Sequence, residues 1–513
     1  MNRESLSIGT VGKQIDAERF AAVGIWILIA YTLVRNLFAA ASRPLGYDEL
    51  CTLAVAHQAT FSGVHDALQR TNDGHPPLFY FLEHIFGGLI ANPHIAYRLP
   101  SIIGFCSALW FIFTFIKRQS GGGIAFTCTA LLVLTPLQTF AVEARPYSLM
   151  IAAIAAALVC YQRAAKMMWV VLLGVSLAAA QSLYYYGCFA FIPFGLAELA
   201  LAVRSRKIRW RVWLALAGAV LPLLVELPQL FRIKQFYGNH LWSLPSLVGL
   251  ADAYSFVLKA HPTISVAIVS VISVGTLWRI ATPKYSPGLS CESGDRTHEL
   301  MLTLGLLAVP VVEYAVAKST HGLFEGRHML PVLLGTALGA GYLLCWSGRR
   351  GSIMLFAVFV LVAVSLQEVS FWITRRLPLG IESPADSVEK LVSLAGHSDL
   401  PVLVSDGVDY VQYAYYASPE WRERFVGAVD PRQAIRYTGT DTLDLQLPLL
   451  TCCLPLRIYK FDLFAAQYPE FLVYSGGTDY DWWPQLLVSD GYLMQLIALE
   501  KGHRVYLAHR AGS

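Results

Sequence analysis

Residues 20–49 decide the fold class, and they read FAAVGIWILIAYTLVRNLFAAASRPLGYDE. The run from Phe20 to Ala41 is apolar and long enough to cross the hydrocarbon core of a bilayer. It is longer than the core of a signal peptide and lacks a small-residue cleavage site, so we expect an uncleaved first membrane span. A polar turn with two adjacent carboxylates, Asp48 and Glu49, follows directly.

The rest of the chain repeats this apolar pattern. Hydrophobic residues make up 55% of the 513 residues and charged residues only 14%, whereas a soluble protein carries roughly 25% charged residues. This balance excludes a soluble enzyme, a disordered chain and a coiled coil. Further apolar runs cover residues 99–116, 122–142, 147–160, 168–186, 188–203, 212–231, 263–280, 299–317, 329–346 and 352–373. Together with the first span they predict a polytopic α-helical membrane protein with about 11 transmembrane helices.

Short basic loops orient these spans. The richest loop runs from Arg204 to Arg211, and such loops are typical of the cytoplasmic side. The first loop (42–98) and everything after residue 373 then lie on the outer side. The apolar segment 77–91 is short and contains Glu83, so we expect an interfacial helix that does not cross the bilayer. The positive-inside bias accounts for the clusters of basic residues, so the sequence indicates no nucleic-acid partner.

The tail after residue 373 has the composition of a water-exposed domain. We therefore predict a transmembrane domain at 1–373 and a soluble α/β domain at 374–513. Strands are predicted at 401–405, 471–474 and 504–508, and helices at 408–417 and 482–489.

The first outer loop holds the first candidate chemistry. The adjacent carboxylates Asp48 and Glu49 could supply a general base toward an acceptor hydroxyl. The alternative is that they cap the solvated start of an amphipathic helix. His75 precedes Pro76 and Pro77, which are typical of a helix start.

Arginines form the second candidate group. Arg98, Arg145 and Arg327 lie on the outer side, where the charge bias disfavours them, and a bound phosphate would explain their placement. The alternative for Arg145 and Arg327 is a structural ion pair with Glu143 or Glu325. The tyrosine run 184–186 is interpreted as part of an aromatic belt at the membrane surface.

The order of these motifs resembles a known family. After the first span come Tyr47-Asp48-Glu49, His75-Pro76-Pro77-Leu78, Tyr97-Arg98-Leu99-Pro100-Ser101, Ala144-Arg145-Pro146-Tyr147-Ser148 and Gly326-Arg327-His328. This order resembles that of polytopic GT-C glycosyltransferases. More narrowly, it is similar to the protein mannosyltransferase and aminoarabinose transferase superfamily, in its bacterial branch of lipid-linked-sugar transferases.

The resemblance implies an inverting hexosyl- or pentosyltransferase in the bacterial inner membrane. A sugar would move from a polyprenyl-phosphate carrier to a lipid, glycan or protein acceptor in the periplasm, where the resemblance also places the tail. Asp48 would be the base and Glu49 its neighbour in the site. His75, Arg98, Arg145 and Arg327 would bind the donor phosphate, and Tyr47, Glu143, Tyr147 and Glu325 are additional site candidates.

The residues also bear on cofactors and on an alternative class of function. No cofactor is predicted, and a divalent metal is compatible with the sequence although no ligand cluster indicates one. The alternative function is a transporter or flippase for a lipid-linked or anionic substrate. That alternative predicts charged groups near the middle of the bilayer and symmetry between the two halves of the chain.

Overall fold

The computed structural model describes residues 4–238, 240–259, 262–281, 297–347, 350–374 and 383–510. The chain forms two compact units. The first, called the helical unit, contains Met1–Ala40, Arg98–Leu227 and Leu244–Leu377. The second, called the mixed unit, contains Ala41–Tyr97, Pro228–Ser243 and Pro378–Ser513. The predicted boundary at residue 373 adjoins residues 375–382, which lie outside the described ones, and it stays a prediction.

Helices dominate the described residues. In chain order they are α1 Glu4–Ala41, α2 Tyr47–Ala56, α3 Phe61–Thr71, α4 Pro77–Leu89, α5 Pro93–Ala96, α6 Leu99–Ser120, α7 Gly122–Ala130, α8 Leu137–Phe140, α9 Tyr147–Gln162, α10 Met167–Leu183, α11 Phe191–Ser205, α12 Trp210–Ala219, α13 Leu221–Tyr237, α14 Leu247–Leu258, α15 Pro262–Ala281, α16 Thr297–Leu307, α17 Val309–Thr320, α18 Pro331–Ser347 and α19 Arg350–Thr374. The tail adds α20 Pro384–Leu394, α21 Gly407–Tyr416, α22 Pro419–Arg424, α23 Pro431–Thr438, α24 Thr442–Leu450, α25 Phe461–Gln467 and α26 Trp483–Ser489. Short 3-10 helices lie at Leu131–Leu134, Tyr185–Ala190 and Gly326–Met329.

The predicted spans coincide with apolar helices. In the part of the chain that the structure describes, five helical segments are long and apolar enough to cross a membrane: Glu18–Ala41, Pro93–Ser120, Tyr185–Ser205, Trp210–Tyr237 and Gly351–Thr374. The helices α16 and α17, which meet at a bend of 48°, pass the same test only when they are taken together, as a broken span or a re-entrant loop. The other predicted spans fall on shorter apolar helices, and α14 is a further one that the sequence did not predict as a span. The polytopic helical class is therefore confirmed.

The segment predicted not to cross forms α4, which has 13 residues. At 1.5 Å per residue this helix is about 20 Å long, shorter than the hydrocarbon core of about 30 Å. Its length thus agrees with an interfacial helix.

Buried charged side chains connect the spans of the helical unit. Arg35 Nε of α1 lies 3.1 Å from Glu368 Oε2 of α19, and the Tyr31 hydroxyl donates to the same oxygen at 2.7 Å. Gln119 donates to Glu299 at 3.1 Å, which connects α6 with α16. A charge in a membrane is costly unless another protein group compensates it, so these contacts hold the helices together.

The tail forms a six-stranded sheet, which confirms the predicted α/β architecture. Its strands are β1 Val402–Val404, β2 Phe425–Val429, β3 Ile458–Lys460, β4 Glu470–Ser475, β5 Tyr492–Glu500 and β6 His503–Arg510, in the order β3-β2-β1-β4-β6-β5. Strands β1 to β4 pair in parallel, whereas β6 is antiparallel to β4 and β5. Strands β1, β4 and β6 and helices α21 and α26 match the predicted elements.

Candidate functional site

Glu49 closes the start of α2. Its Oε2 accepts the Gly46 N–H at 2.9 Å and lies 3.4 Å from Arg43 Nη2. In a capping box, the side chain of the residue before the helix also accepts a backbone hydrogen bond. Gly46 has no side chain, so Glu49 makes the side-chain hydrogen bond of this cap by itself. The glutamate is 2% exposed, and the rest of α2 after it is buried. The capping alternative is therefore correct for Glu49, but Glu49 itself is buried and not solvated.

Asp48 is placed differently from its neighbour. It lies in the first turn of α2 and is half-buried, whereas Glu49 is almost fully enclosed. The helix interacts with Asp48 through its carbonyl, which accepts the Thr52 hydroxyl at 3.2 Å. A helix N-terminus favours negative charge. Of the two carboxylates, Asp48 is thus the one more accessible to a second molecule.

The tail contacts the same segment within the mixed unit. The Tyr47 hydroxyl donates to Gln446 Oε1 at 3.0 Å, and desolvation raises the pKa of this phenol well above its ordinary value. On the other side of the turn, the Leu45 N–H donates to the Tyr416 hydroxyl at 2.6 Å. Helices α21 and α24 therefore contact the residues that directly precede Asp48, a juxtaposition that no local sequence signal indicated.

His75 lies at the buried start of α4. It is 5% exposed, and its ring centroid is 5.8 Å from that of Phe79 and 6.4 Å from that of Tyr80. Pro76 is the residue before the helix and Pro77 its first residue, as the paired prolines predicted. His75 therefore packs beside aromatic rings at a buried position, and phosphate binding by His75 stays a prediction.

Sequence reasoning did not select Glu83 as a site residue. Its side chain is fully buried in α4, and neither carboxyl oxygen has a hydrogen-bond partner among the described residues. Burial, and secondarily the charge of Glu49, raises the pKa of Glu83 well above its ordinary range. The available sequence signal is a lone carboxylate in an apolar segment. In the sequence it serves only as evidence that the segment does not cross the membrane.

Arg98 and Arg145 are buried in the helical unit. Arg98 is fully buried, and its Nη1 donates to the Ala40 carbonyl at 2.8 Å, which fixes the end of α1. The Ser101 hydroxyl of α6 donates to the Arg145 carbonyl at 2.6 Å. The Arg145 N–H in turn donates to the Glu143 carbonyl at 2.7 Å. The Ser101 side chain therefore joins the helix that follows Arg98 to the Arg145 segment.

Aromatic rings join residues 143–147 to residues 325–328. The ring of Tyr184 lies 5.2 Å from that of Tyr147 and 5.9 Å from that of His328. Arg327 forms an ion pair with Glu325, the structural alternative raised from the sequence. Tyr184 is 3% exposed, so its assignment to a membrane-surface belt is wrong: it packs in the core of the helical unit.

The predicted site residues thus form two groups, each within one unit. Those in the mixed unit are Tyr47, Asp48, Glu49 and His75. Those in the helical unit are Arg98, Glu143, Arg145, Tyr147, Glu325 and Arg327.

One small cavity lies beside the sheet of the mixed unit. A cavity lined by Ser405, Asp444 and Trp483, among others, has a volume of about 20 Å³, enough for about one water molecule and too small for a sugar. Among the described residues, no group of three or more His, Cys, Asp or Glu side chains has the arrangement of a metal site.

Comparisons with solved structures return membrane glycosyltransferases. The apo structure of ArnT, the aminoarabinose transferase, from Cupriavidus metallidurans is 12% identical, with 95% of this chain and 98% of that chain covered at a TM-score of 0.44. Its undecaprenyl phosphate complex is 13% identical, with 96% and 99% covered at a TM-score of 0.42. The Archaeoglobus fulgidus oligosaccharyltransferase in complex with Zn and sulfate is 10% identical, with 94% and 72% covered at a TM-score of 0.49.

These similar proteins are GT-C membrane glycosyltransferases, the class that the sequence motifs resemble. No family model matches the chain, and a search of curated proteins finds no match. Because these three TM-scores are below 0.5, the residue roles that follow come from this chain alone.

Proposed function

We propose that this protein is an inverting glycosyltransferase that moves a sugar from a polyprenyl-phosphate carrier to an acceptor. The observation that carries the proposal is the contrast between the two carboxylates of α2. Glu49 is enclosed and holds the turn, whereas Asp48 is half-buried in the first turn of the helix. A general base must reach the proton it removes, and Asp48 meets that need.

In the proposed reaction Asp48 accepts the proton of the acceptor nucleophile as that nucleophile attacks the anomeric carbon. The bond between this carbon and the carrier phosphate oxygen breaks, and the phosphate leaves with the bonding electron pair. A single displacement of this kind inverts the anomeric configuration and needs no covalent intermediate with the protein.

Positive charge would stabilise the departing phosphate. Arg145 and Arg327 are the proposed phosphate residues, because a guanidinium can bind two phosphate oxygens at once. The ion pair of Arg327 with Glu325 is compatible with this role, since it orients the guanidinium before the donor arrives. Arg98 donates to the end of α1, so we assign it a positioning role, and His75 is kept as a weaker phosphate candidate.

The apolar helices identify a multi-pass membrane protein. We propose that it lies in a bacterial inner membrane with the Asp48 segment and the tail on the periplasmic side. In the predicted topology the basic loops mark the cytoplasmic side, and the Asp48 segment lies on the opposite side of the membrane. A donor anchored in the bilayer suits a site in that position.

Transfer can be tested with the purified full chain in lipid nanodiscs. Undecaprenyl phosphate linked to isotopically labelled hexoses, pentoses and amino sugars would be offered together with lipid, glycan and protein fractions of the bacterial envelope. Mass spectrometry of the products should show the labelled sugar on one acceptor class, and nuclear magnetic resonance should show an inverted anomeric centre. Retention of configuration would overturn the single displacement. Translocation of the intact donors without any transfer would overturn the enzyme assignment.

A further inference from the structure

We propose that the tail acts directly in the reaction by holding the Asp48 segment, with Gln446 and Tyr416 as positioning residues. This inference rests on the proposed function. The tail would then be a part of the active site, in contrast to an accessory domain that only selects acceptors.

The first contact is the one made by Tyr47, the residue before Asp48. Its hydroxyl donates to Gln446 Oε1 at 3.0 Å, and the same amide lies 3.9 Å from Cys51 Sγ through its Nε2. Residues 47 and 51 are one helical turn apart. One side chain of α24 therefore contacts two successive turns of α2, which constrains both the position of the helix and its rotation about its own axis.

The second contact is made by Tyr416 of α21. Its hydroxyl accepts the N–H of Leu45, a fully buried residue, at 2.6 Å. The same hydroxyl lies 2.9 Å from His94 Nε2, so it connects the beginning and the end of the first loop. A buried backbone N–H needs an acceptor, and the tail supplies the one for Leu45.

These contacts matter for chemistry because α2 has only 10 residues. A helix of this length is marginal by itself and depends on its packing partners. The contacts of Leu45 and Tyr47 with the tail lie on either side of Asp48 in the chain and so constrain the backbone that carries it. A displacement of about 1 Å can reduce the rate about 100-fold, so loss of the tail contacts should reduce turnover.

Gln446→Ala and Tyr416→Phe test this inference in the full chain. The controls are Gln485→Ala, an exposed glutamine of α26, and Tyr415→Phe, the neighbour of Tyr416. We expect kcat to fall about 10-fold to 100-fold in both test variants while the KM for the lipid-linked donor is unchanged. The controls should keep wild-type kcat. The double variant Tyr47→Phe with Gln446→Ala should be no slower than the slower single variant, because the two changes remove the same bond.

Amide hydrogen exchange gives a readout that does not depend on activity. In Gln446→Ala, amides of residues 45–51 should exchange about threefold or more faster, while amides of strand β4 keep their protection. Unchanged exchange in this segment for both test variants would overturn the inference. So would unchanged kcat in a protein that transfers sugar. If the wild-type chain transfers no sugar, the proposed function fails, and the exchange data alone decide whether the tail holds the segment.

Discussion

Asp48→Asn is the substitution that separates catalysis from folding most sharply. The cap of α2 is formed by Glu49, and the Thr52 hydroxyl bonds the Asp48 carbonyl, so neither interaction uses the Asp48 carboxylate. The loss of a negative charge at the helix N-terminus costs about 0.3 to 1 kcal/mol of stability. Loss of a positioned general base lowers the rate by about 10² to 10⁴, which corresponds to about 2.7 to 5.5 kcal/mol in the barrier.

Glu49→Gln is the matched control. The amide oxygen can still accept the Gly46 N–H, and what is lost is the charge interaction with Arg43, whose side chain is 32% exposed. A partly exposed pair of this kind contributes about 1 kcal/mol or less. We therefore expect Glu49→Gln to reduce turnover far less than Asp48→Asn does.

Initial rates with a verified lipid-linked donor, measured beside thermal unfolding of the same preparations, decide between the two carboxylates. Wild-type turnover in Asp48→Asn would refute its role as base. A fall in Glu49→Gln as deep as that in Asp48→Asn, at unchanged stability, would show that accessibility is not what distinguishes these residues.

Three further predictions address topology, donor binding and pH. In a whole-cell assay, Ser398→Cys in the tail should react with an impermeant thiol reagent and Ser205→Cys should not; the reverse pattern would invert the topology. Arg145→Lys and Arg327→Lys should each raise the apparent KM for the donor about tenfold, because lysine keeps the charge but loses the two-pronged contact; unchanged KM in both would leave only the ion-pair role. Burial raises the pKa of Asp444 to about 7. Between about pH 4 and pH 7 the Asp444 carboxyl is therefore protonated in the folded protein but ionised in the unfolded chain, so the free energy of unfolding declines as the pH rises through this range. Asp444→Asn should therefore gain stability over wild type on going from pH 4.5 to pH 8, by a few kcal/mol at most, and a constant difference in thermal unfolding between the two proteins would contradict this.

Local patterns predicted the elements that carry a strong apolar signal. The run at 401–405 gave β1 and the run at 471–474 gave β4, since both are continuous buried strands. Strand β2 was missed although all of its residues are buried, because Gly427 and Ala428 interrupt its run of large apolar residues. Strand β5 was missed for the opposite reason: most of its residues are exposed or half-buried, so no apolar run marks it.

The candidate site was predictable only as a set of separate motifs. The sequence placed Asp48 after the first span and the arginines at span ends, and charge bias gave them a common side. It could not show that Glu49 caps α2 and that Asp48 does not, because this depends on the backbone turn at Gly46. Tyr184 was misassigned for a similar reason, since only the packing of the helical unit shows that its ring is enclosed.

The contact between the first loop and the tail lies furthest from any sequence signal, and it changes what the tail is for. Leu45 and Tyr416 are separated by 371 positions along the chain, so no local pattern of residues could indicate the contact. Closing so long a loop costs conformational entropy, which the buried face of α2 must help to offset. The residues of α2 from Leu50 onward are buried, and α2 by itself is too short to be a stable helix. The tail therefore supplies part of the surface against which the Asp48 segment is held, through Gln446 and Tyr416, while the first turn of α2 stays half-buried.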